Sequence, residues 1–246
     1  MAYIDSEHAM NNRYALLIGV NPDFFYLLQP DCGEDAFGMA EDLIGEGIGL
    51  IIFDSVDAML PRAIVDGDMD EQHMGVHARL MGKGLRKLTS KLKKKNIACI
   101  FINQIRMKIG GYGDPEVTSG GIALKFYSFV RLKIRAPRSG KIIGKGTLDD
   151  FVSDDKFEKG TEIKLETVKN KVFIPHMECR LNIIYGKGID KEDDLIRYFE
   201  NHNVLKIESA AFIRYPFNSK VKMKREKFLE KLKDKKFRKE IKEKIE

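Results

Sequence analysis

The chain has 246 residues, of which 43% are hydrophobic and 33% charged, and its formal net charge is +6. This composition excludes a disordered chain and predicts a globular protein of one or two domains. No apolar run approaches the roughly 20 residues of a membrane-spanning helix, and no signal peptide opens the chain, so we expect a cytoplasmic protein without membrane contact. Three widely spaced cysteines, Cys32, Cys99 and Cys179, predict neither a metal site nor a redox motif.

The positive charge is concentrated at the end of the chain. Residues 220–246 contain 13 Lys and Arg against 6 Asp and Glu, which leaves the rest of the chain nearly neutral. A basic end on a neutral body indicates a surface for an anionic polymer. On charge alone, a lysine-rich helix that only keeps the chain soluble explains the pattern equally well.

The first residues predict a β-strand that ends in polar side chains. Ile4 is followed by Asp5, Glu7 and His8, which then lie at or just beyond the end of the strand. A carboxylate in that position can orient water for hydrolysis. A turn that merely ends the strand explains the same pattern.

A helix is predicted from Glu34 to about Glu46, where glycines end it. Four apolar residues, 50–53, then lead to Asp54 and Ser55. A buried strand that ends in Asp is typical of a Walker B strand, whose Asp holds nucleotide-bound Mg²⁺, commonly through water. Many parallel strands end in the same way, so this motif is weak by itself.

Residues 98–127 are the most informative segment. The apolar run 98–102 predicts a buried parallel strand, which is followed by Gln104 and by a glycine-rich loop containing Arg106 and Lys108. An amide beyond the carboxyl end of a strand is well placed to sense a phosphate, and a cationic loop suits a nucleic-acid backbone. Composition alone favours the alternative of a solvated surface loop.

The remaining chain predicts an edge strand over residues 129–135, an irregular excursion over residues 136–160 and a further alternating strand. Composition becomes polar near residue 187, which indicates a domain boundary. We therefore expect two domains, residues 1–187 and residues 188–246.

Three segments resemble bacterial RecA recombinases. The run FINQIRMKIG, with DPE and SGGIALKFY after it, resembles the second DNA-binding loop of that family and the helix that follows. The segment IDSEHAMNNRYA and the motif Lys169-Asn170-Lys171 are similar to other parts of the family. The resemblance implies an α/β fold. It consists of a RecA-like ATPase core, truncated at its N-terminus, with a mostly parallel central sheet flanked by helices, and a small α+β C-terminal domain.

The resemblance implies ATP and Mg²⁺ as cofactors. Glu7 matches the residue that polarises the attacking water, and Gln104 matches the residue that contacts the γ-phosphate. Lys169 and Lys171 match lysines that reach the phosphates of ATP on the neighbouring subunit, so all four are catalytic candidates. The cofactor-binding candidates are Tyr14, which matches a ring that stacks on adenine, Asp54 as the Mg²⁺ position, Ser55, and Phe126, which also packs across the subunit interface.

The resemblance also implies two DNA-binding loops and a homo-oligomeric filament on single-stranded DNA. The small C-terminal domain of the family gathers double-stranded DNA. The DNA-binding candidates are His73, Met74, Arg79, Arg106, Lys108, Tyr112, Gly120 and Gly121.

The 246 residues contain no phosphate loop of the form G-x-x-x-x-G-K-[ST], which in the family precedes the strand that ends at Asp5. Three explanations stay open. The chain is the downstream piece of a split or truncated gene, it is a degenerate paralogue, or a separate N-terminal fragment supplies the loop.

We therefore expect a RecA-type protein of homologous recombination, DNA repair and the SOS response, which binds single-stranded DNA in an ATP-dependent filament and promotes strand exchange. The family is a DNA-dependent ATPase, but without the phosphate loop we expect this chain to be inactive alone. The alternative is a non-catalytic DNA-binding or filament-modulating paralogue. A helicase-like relative fits less well, because the loop resembles recombinases in particular.

Overall fold

The computed structural model describes residues 1–68, 75–107, 116–137, 139–144, 157–209, 212–214, 222–232 and 234–243. Contacts within the chain divide it into two units, Met1–Arg131 with Lys169–Pro175, and Leu132–Val168 with His176–Glu246. The boundary expected near residue 187 stays a prediction. In the described ranges, no helix has the length and apolar character that crossing a bilayer requires.

The first unit is built around a four-stranded parallel sheet. Its elements are β1 (Ala2–Asp5), α1 (Asn12–Leu17), β2 (Tyr26–Leu28), α2 (Gly33–Leu43), β3 (Leu50–Asp54), α3 (Arg62–Val65), α4 (Val76–Leu92), β4 (Ala98–Phe101), β5 (Ile105–Met107), β6 (Glu116–Thr118) and α5 (Ala123–Tyr127), with 3₁₀ helices at Pro22–Phe24 and Val56–Ala58. The strand order is β2-β1-β3-β4, and every neighbouring pair is parallel. The predicted α/β class with a parallel central sheet is confirmed.

Aromatic packing joins the sheet to its helices. The ring of Phe53 stacks on Phe101, with centroids 4.5 Å apart, and lies 5.7 Å from the ring of Phe37 on α2. On α4, Gly84 lies directly against the Phe37 ring, and a Cβ at this position would overlap the ring. The glycine therefore permits α4 to approach α2 closely.

β4 is the outermost strand in the sheet order and is more exposed than the sequence predicts. Ile100 is 48% exposed and the following Ile102 is 41% exposed, whereas Phe101 packs against the core. The predicted strand and its parallel direction are confirmed. The predicted burial on both faces is wrong, because β4 pairs with β3 along one edge and only alternate side chains reach the core.

The second unit is mainly antiparallel sheet and short helices. Its elements, with two strands that start or end in the first unit, are β7 (Val130–Arg135), β8 (Lys141–Gly144), β9 (Phe157–Asn170), β10 (Glu178–Ile184), β11 (Gly188–Ile189), α6 (Lys191–Asn201), β12 (Lys206–Ser209), β13 (Phe212–Arg214), β14 (Lys222–Lys224), α7 (Arg225–Lys231) and α8 (Lys235–Lys242). One sheet has the order β11-β10-β9-β7, with β8 paired to β9, and another has the order β12-β13-β14. The edge strand predicted over residues 129–135 is β7. The prediction of irregular structure over residues 136–160 is wrong at residues 141–144 and 157–160, which form β8 and the start of β9.

A buried carboxylate connects the helices of the second unit to its sheet. Asp193 on α6 accepts hydrogen bonds from Asn182 on β10 at 2.8 Å, from Arg197 at 2.7 Å and from Arg225 on α7 at 2.6 Å. Arg197 also forms a 3.0 Å ion pair with Glu162 on β9. A buried carboxylate is tolerated only with such partners, so this network ties α6 and α7 to the sheet.

The contact between α4 and α2 predicts opposite effects for two glycines of α4. We expect Gly84→Ala to lower the free energy of unfolding by about 1–3 kcal/mol, because the new methyl group overlaps the Phe37 ring. Gly82→Ala, where a Cβ meets nothing within 4 Å, should raise it by up to about 1 kcal/mol through helix propensity. Urea unfolding measures both values, and equal effects at the two positions would contradict the packing argument.

Candidate functional site

Three strand ends of the parallel sheet meet at the carboxylate of Glu7. β1 and β3 pair in the register that sets Asp5 beside Asp54, so Glu7 and Ser55 follow at the same edge. The Ser55 Oγ donates a 2.6 Å hydrogen bond to the Oε1 of Glu7. From beyond β4, the Nε2 of Gln104 donates to the same oxygen at 3.4 Å.

This arrangement brings the predicted water-polarising carboxylate and the predicted phosphate-sensing amide into direct contact. Glu7 and Gln104 are exposed, whereas Ser55 is buried and holds the carboxylate of Glu7 through its hydrogen bond. A carboxylate has about four acceptor positions and an amide nitrogen has two N–H donors. Glu7 can therefore accept from water, and Gln104 can donate to an anionic oxygen, without breaking their mutual hydrogen bond.

Asp54 lies at the same edge and accepts a hydrogen bond from the Tyr3 hydroxyl. Burial, together with the Asp54 carboxylate, raises the pKa of Tyr3 well above its ordinary value, so the hydroxyl remains a donor. The other acceptor positions of Asp54 suit water molecules bound to Mg²⁺. Among the described side chains, no three from His, Cys, Asp or Glu converge as metal ligands.

Asp5 is a structural carboxylate that holds the turn carrying Glu7. It is 2% exposed and accepts from the backbone N–H groups of Ala9 at 3.3 Å and Met10 at 3.0 Å, and from the Nε2 of Gln29 at 3.1 Å. Burial opposes its ionisation, but these hydrogen bonds outweigh that cost and hold the pKa of Asp5 below its ordinary value. The sequence pattern places Asp5 near the site and does not reveal this clamp.

Lys169 and Lys171 form a second group, around α5. The Nζ of Lys169 donates to the carbonyl oxygen of Lys125 at 2.5 Å and of Phe126 at 3.3 Å, where the last turn of a helix leaves acceptors unpaired. Burial and then the charges of Lys171 and Arg131 lower the pKa of Lys169. The side chain of Phe126 is exposed, and the Nζ of Lys171 lies 5.3 Å from the centre of the exposed ring of Phe129.

The predicted second DNA-binding loop begins and ends as a β-ribbon. β5 and β6 pair in antiparallel fashion, and Arg106 on β5 forms an ion pair with Asp57. Asp57 also accepts a hydrogen bond from the Ser119 hydroxyl, which directly follows β6. Asp57 belongs to no motif, and the sequence pattern therefore fails to single it out.

Gly120 and Gly121 follow the ribbon with positive φ values of 79° and 71°. A Cβ on Gly120 would lie 2.9 Å from Met81, and one on Gly121 would lie 2.8 Å from Ala78, both on α4. Backbone conformation and close packing therefore suffice to explain both glycines. Their contact with DNA stays a prediction, as does that of Arg79, which is exposed on α4.

The adenine-stacking candidate Tyr14 lies on α1 and is exposed. Asn11 caps this helix by accepting a 2.9 Å hydrogen bond from the Tyr14 N–H. Four DNA-binding candidates lie outside the described residues: His73, Met74, Lys108 and Tyr112.

The family model of the RecA N-terminal domain matches residues 1–190 of this chain. The chain belongs to the RecA family. The RecA proteins of Francisella tularensis subsp. novicida (strain U112) and Francisella tularensis subsp. tularensis (strain SCHU S4 / Schu 4) are each 42% identical to it over 235 residues. The matched region is 95% of this chain, and the chain spans 62% of the length of these curated relatives.

A solved structure supports the same fold. The crystal structure of the RadB recombinase matches with a TM-score of 0.52 and 18% identity, over 76% of this chain and 76% of that one. At this identity the likeness concerns the fold alone. Together with the parallel sheet and the family match, it confirms the predicted RecA-like core.

The clamp at Asp5 predicts a pH-dependent contribution to stability. Asp5→Asn removes the charge and one acceptor, and we expect it to lower the free energy of unfolding by about 1–2 kcal/mol at pH 7. Because the folded-state pKa is lowered, the ionised carboxylate stabilises fully above the unfolded pKa of about 4, and the effect is lost as pH falls through the folded pKa.

Urea unfolding at a series of pH values measures this effect. The difference between the unaltered chain and Asp5→Asn should shrink progressively below pH 4 (about the pKa of a free Asp). The exposed Asp31 is the matched control, since Asp31→Asn should change stability little at any pH. A difference for Asp5→Asn that is constant with pH would contradict the clamp.

Proposed function

We propose that this chain is the DNA-binding part of a RecA-type recombinase and supplies one side of its ATP site. In this proposal it binds single-stranded DNA within an ATP-dependent homo-oligomeric filament and promotes strand exchange in homologous recombination and DNA repair. The observation that carries the proposal is the meeting of Glu7, Ser55 and Gln104 at one sheet edge, in a chain of the RecA family.

At the nucleotide, Glu7 is the general base that orients the attacking water, and the buried Ser55 fixes its direction. Asp54 would hold Mg²⁺ through water molecules, and the ion would stabilise the charge that develops on the phosphates of ATP. Gln104 directly precedes β5. A change in the hydrogen bonding of Gln104 can therefore shift the start of the ribbon that carries Arg106.

Lys169 and Lys171 act across a subunit interface in this proposal. The exposed rings of Phe126 and Phe129 support this role, because aromatic residues are enriched at interfaces. Lys169 contacts the backbone of Phe126, and Lys171 lies over the ring of Phe129. The two lysines then reach the phosphates of ATP on a neighbouring copy of the chain.

The DNA contacts come from both units. In the first unit, Arg106, with Lys108 and Tyr112, binds the backbone and bases of single-stranded DNA, and Arg79 belongs to the first loop. In the second unit, exposed lysines on α7 and α8 support binding of duplex DNA. They are Lys227, Lys231, Lys235, Lys236 and Lys239.

Hydrolysis in this proposal requires a phosphate loop from outside these 246 residues, because the sequence does not contain the motif. The same observation favours a second candidate, a RecA-family module that binds DNA or modulates filaments without hydrolysing ATP.

Complementation distinguishes the two candidates. ATP hydrolysis is measured with and without a single-stranded oligonucleotide, for the chain alone and mixed with a RecA-type N-terminal segment that carries the phosphate loop. We expect hydrolysis in the mixture, stimulated by DNA and reduced at least about 100-fold by Glu7→Gln, since a positioned base contributes that factor. Glu46→Gln, at an exposed position outside the site, is the control and should leave the rate unchanged.

The outcomes separate cleanly. DNA binding without hydrolysis in either sample would favour the non-catalytic module. Hydrolysis that persists in Glu7→Gln would show that another group orients the water, and the assignment of Glu7 would be wrong.

A further inference from the structure

A single carboxylate bridges both arms of the β5–β6 ribbon. The Oδ2 of Asp57 accepts from the guanidinium of Arg106 on β5, and its Oδ1 accepts from the hydroxyl of Ser119, directly after β6. The two oxygens thus serve two segments that are separated by the predicted DNA-binding loop. The hydrogen bond from Ser119, and then that from Arg106, hold the pKa of Asp57 below its ordinary value despite burial.

Asp57 is presented from a rigid part of the first unit. It lies in the 3₁₀ helix Val56–Ala58, and Val56 is fully buried. The N–H of Val56 donates to the carbonyl of Ile102 at 2.8 Å, and the N–H of Ala58 donates to Ser55 at 3.1 Å. A backbone held at both ends cannot follow the Arg106 side chain if that side chain turns away.

The two partners differ in their access to solvent. The side chain of Arg106 is 63% exposed, whereas that of Asp57 is 15% exposed. An anion that approaches from solvent therefore meets the guanidinium first. It must draw Arg106 away from a carboxylate that stays where it is.

The ion pair between Asp57 and Arg106 is weak enough for a phosphate to replace Asp57 as the partner of Arg106. An ion pair with an exposed partner is weak, because water and salt screen it. A phosphate accepts two parallel N–H bonds from a guanidinium, and its binding also releases condensed counterions. The Asp57 contact can therefore weaken anion binding without preventing it.

We propose that the Asp57–Arg106 pair is an autoinhibitory contact, in which Asp57 competes with the phosphates of single-stranded DNA for Arg106. This inference rests on the proposed function, in which Arg106 contacts DNA. Opening of the pair is then part of the DNA-binding step, and Asp57 sets the threshold for it. The hydrogen bond from Ser119 keeps the carboxylate satisfied on one side when Arg106 leaves.

A double-mutant cycle tests the competition. Asp57→Asn keeps the shape of the side chain and an acceptor for Ser119 but removes the charge. Binding of a fluorescent single-stranded oligonucleotide at low salt is measured for the full chain, for Asp57→Asn, for Arg106→Ala and for the double variant. We expect Asp57→Asn to lower the Kd by about two- to fivefold, Arg106→Ala to raise it, and the double variant to match Arg106→Ala.

The cycle also shows what would overturn the inference. If Asp57→Asn tightens binding equally with and without Arg106, the carboxylate acts only by general electrostatic repulsion of DNA, and the competition for Arg106 is wrong. If Asp57→Asn weakens binding, Asp57 orders Arg106 for DNA instead of competing. Glu46→Gln, which removes an exposed charge from the same unit away from both predicted DNA-binding loops, is the control and should leave the Kd unchanged.

Hydrogen exchange of the DNA-free chain separates this inference from the proposed function. Asp57→Asn should speed amide exchange in β5 and β6, because the bridge between their ends is weakened. If Asp57→Asn leaves amide exchange in β5 and β6 unchanged, Asp57 does not bridge the two strands and the inference is wrong. An unaltered chain that binds no single-stranded DNA would overturn both proposals, whereas binding that Asp57→Asn leaves unchanged would overturn the competition alone.

Discussion

β1 and β3 run parallel in the register that places Ile4 beside Phe53 and Asp5 beside Asp54, and the candidate site depends on this pairing. Ile4 and Phe53 are fully buried, and a slip of either strand by one residue would turn the apolar side chains of that strand toward the opposite face of the sheet. Such a slip would expose buried apolar side chains, and this cost keeps the two strands in register. The same register keeps the polar strand ends together. Hydrophobic packing thus sets the geometry at Glu7, although none of the packed side chains takes part in the chemistry.

Four carboxylates near this sheet edge have different environments and hence different capacities. Asp5 is buried and saturated with hydrogen bonds, which makes it a clamp. Glu7 is exposed and shares one oxygen between two neutral donors, which leaves it open to water. Asp54 accepts a hydrogen bond from the phenol of Tyr3. Asp57 accepts hydrogen bonds from the guanidinium of Arg106 and the hydroxyl of Ser119. Residue type alone does not distinguish these roles, because each is set by the neighbours that the fold supplies.

Local patterns predicted the strand over residues 50–54 and the helix that begins near Glu34, because short-range periodicity determines both. The exposure of Ile100 was not predictable, since periodicity does not reveal which strand lies at the edge of a sheet. The β5–β6 ribbon was also missed, because three-residue strands carry little signal and their pairing is non-local. Resemblance singled out Glu7 and Gln104 as candidates, but their shared hydrogen bond depends on three-dimensional proximity.

Among the described strands, β4 is the last in the order of its sheet, so its outer edge presents backbone N–H and C=O groups beside the exposed side chains of Ile100 and Ile102. Such an edge accepts a further strand from any chain that offers one, and two copies of this chain offer it to each other. The three lysines at residues 93–95, just before β4, oppose that pairing by charge repulsion. Because salt screens this repulsion, self-association of the chain should increase with ionic strength, whereas the proposed electrostatic binding of DNA should weaken.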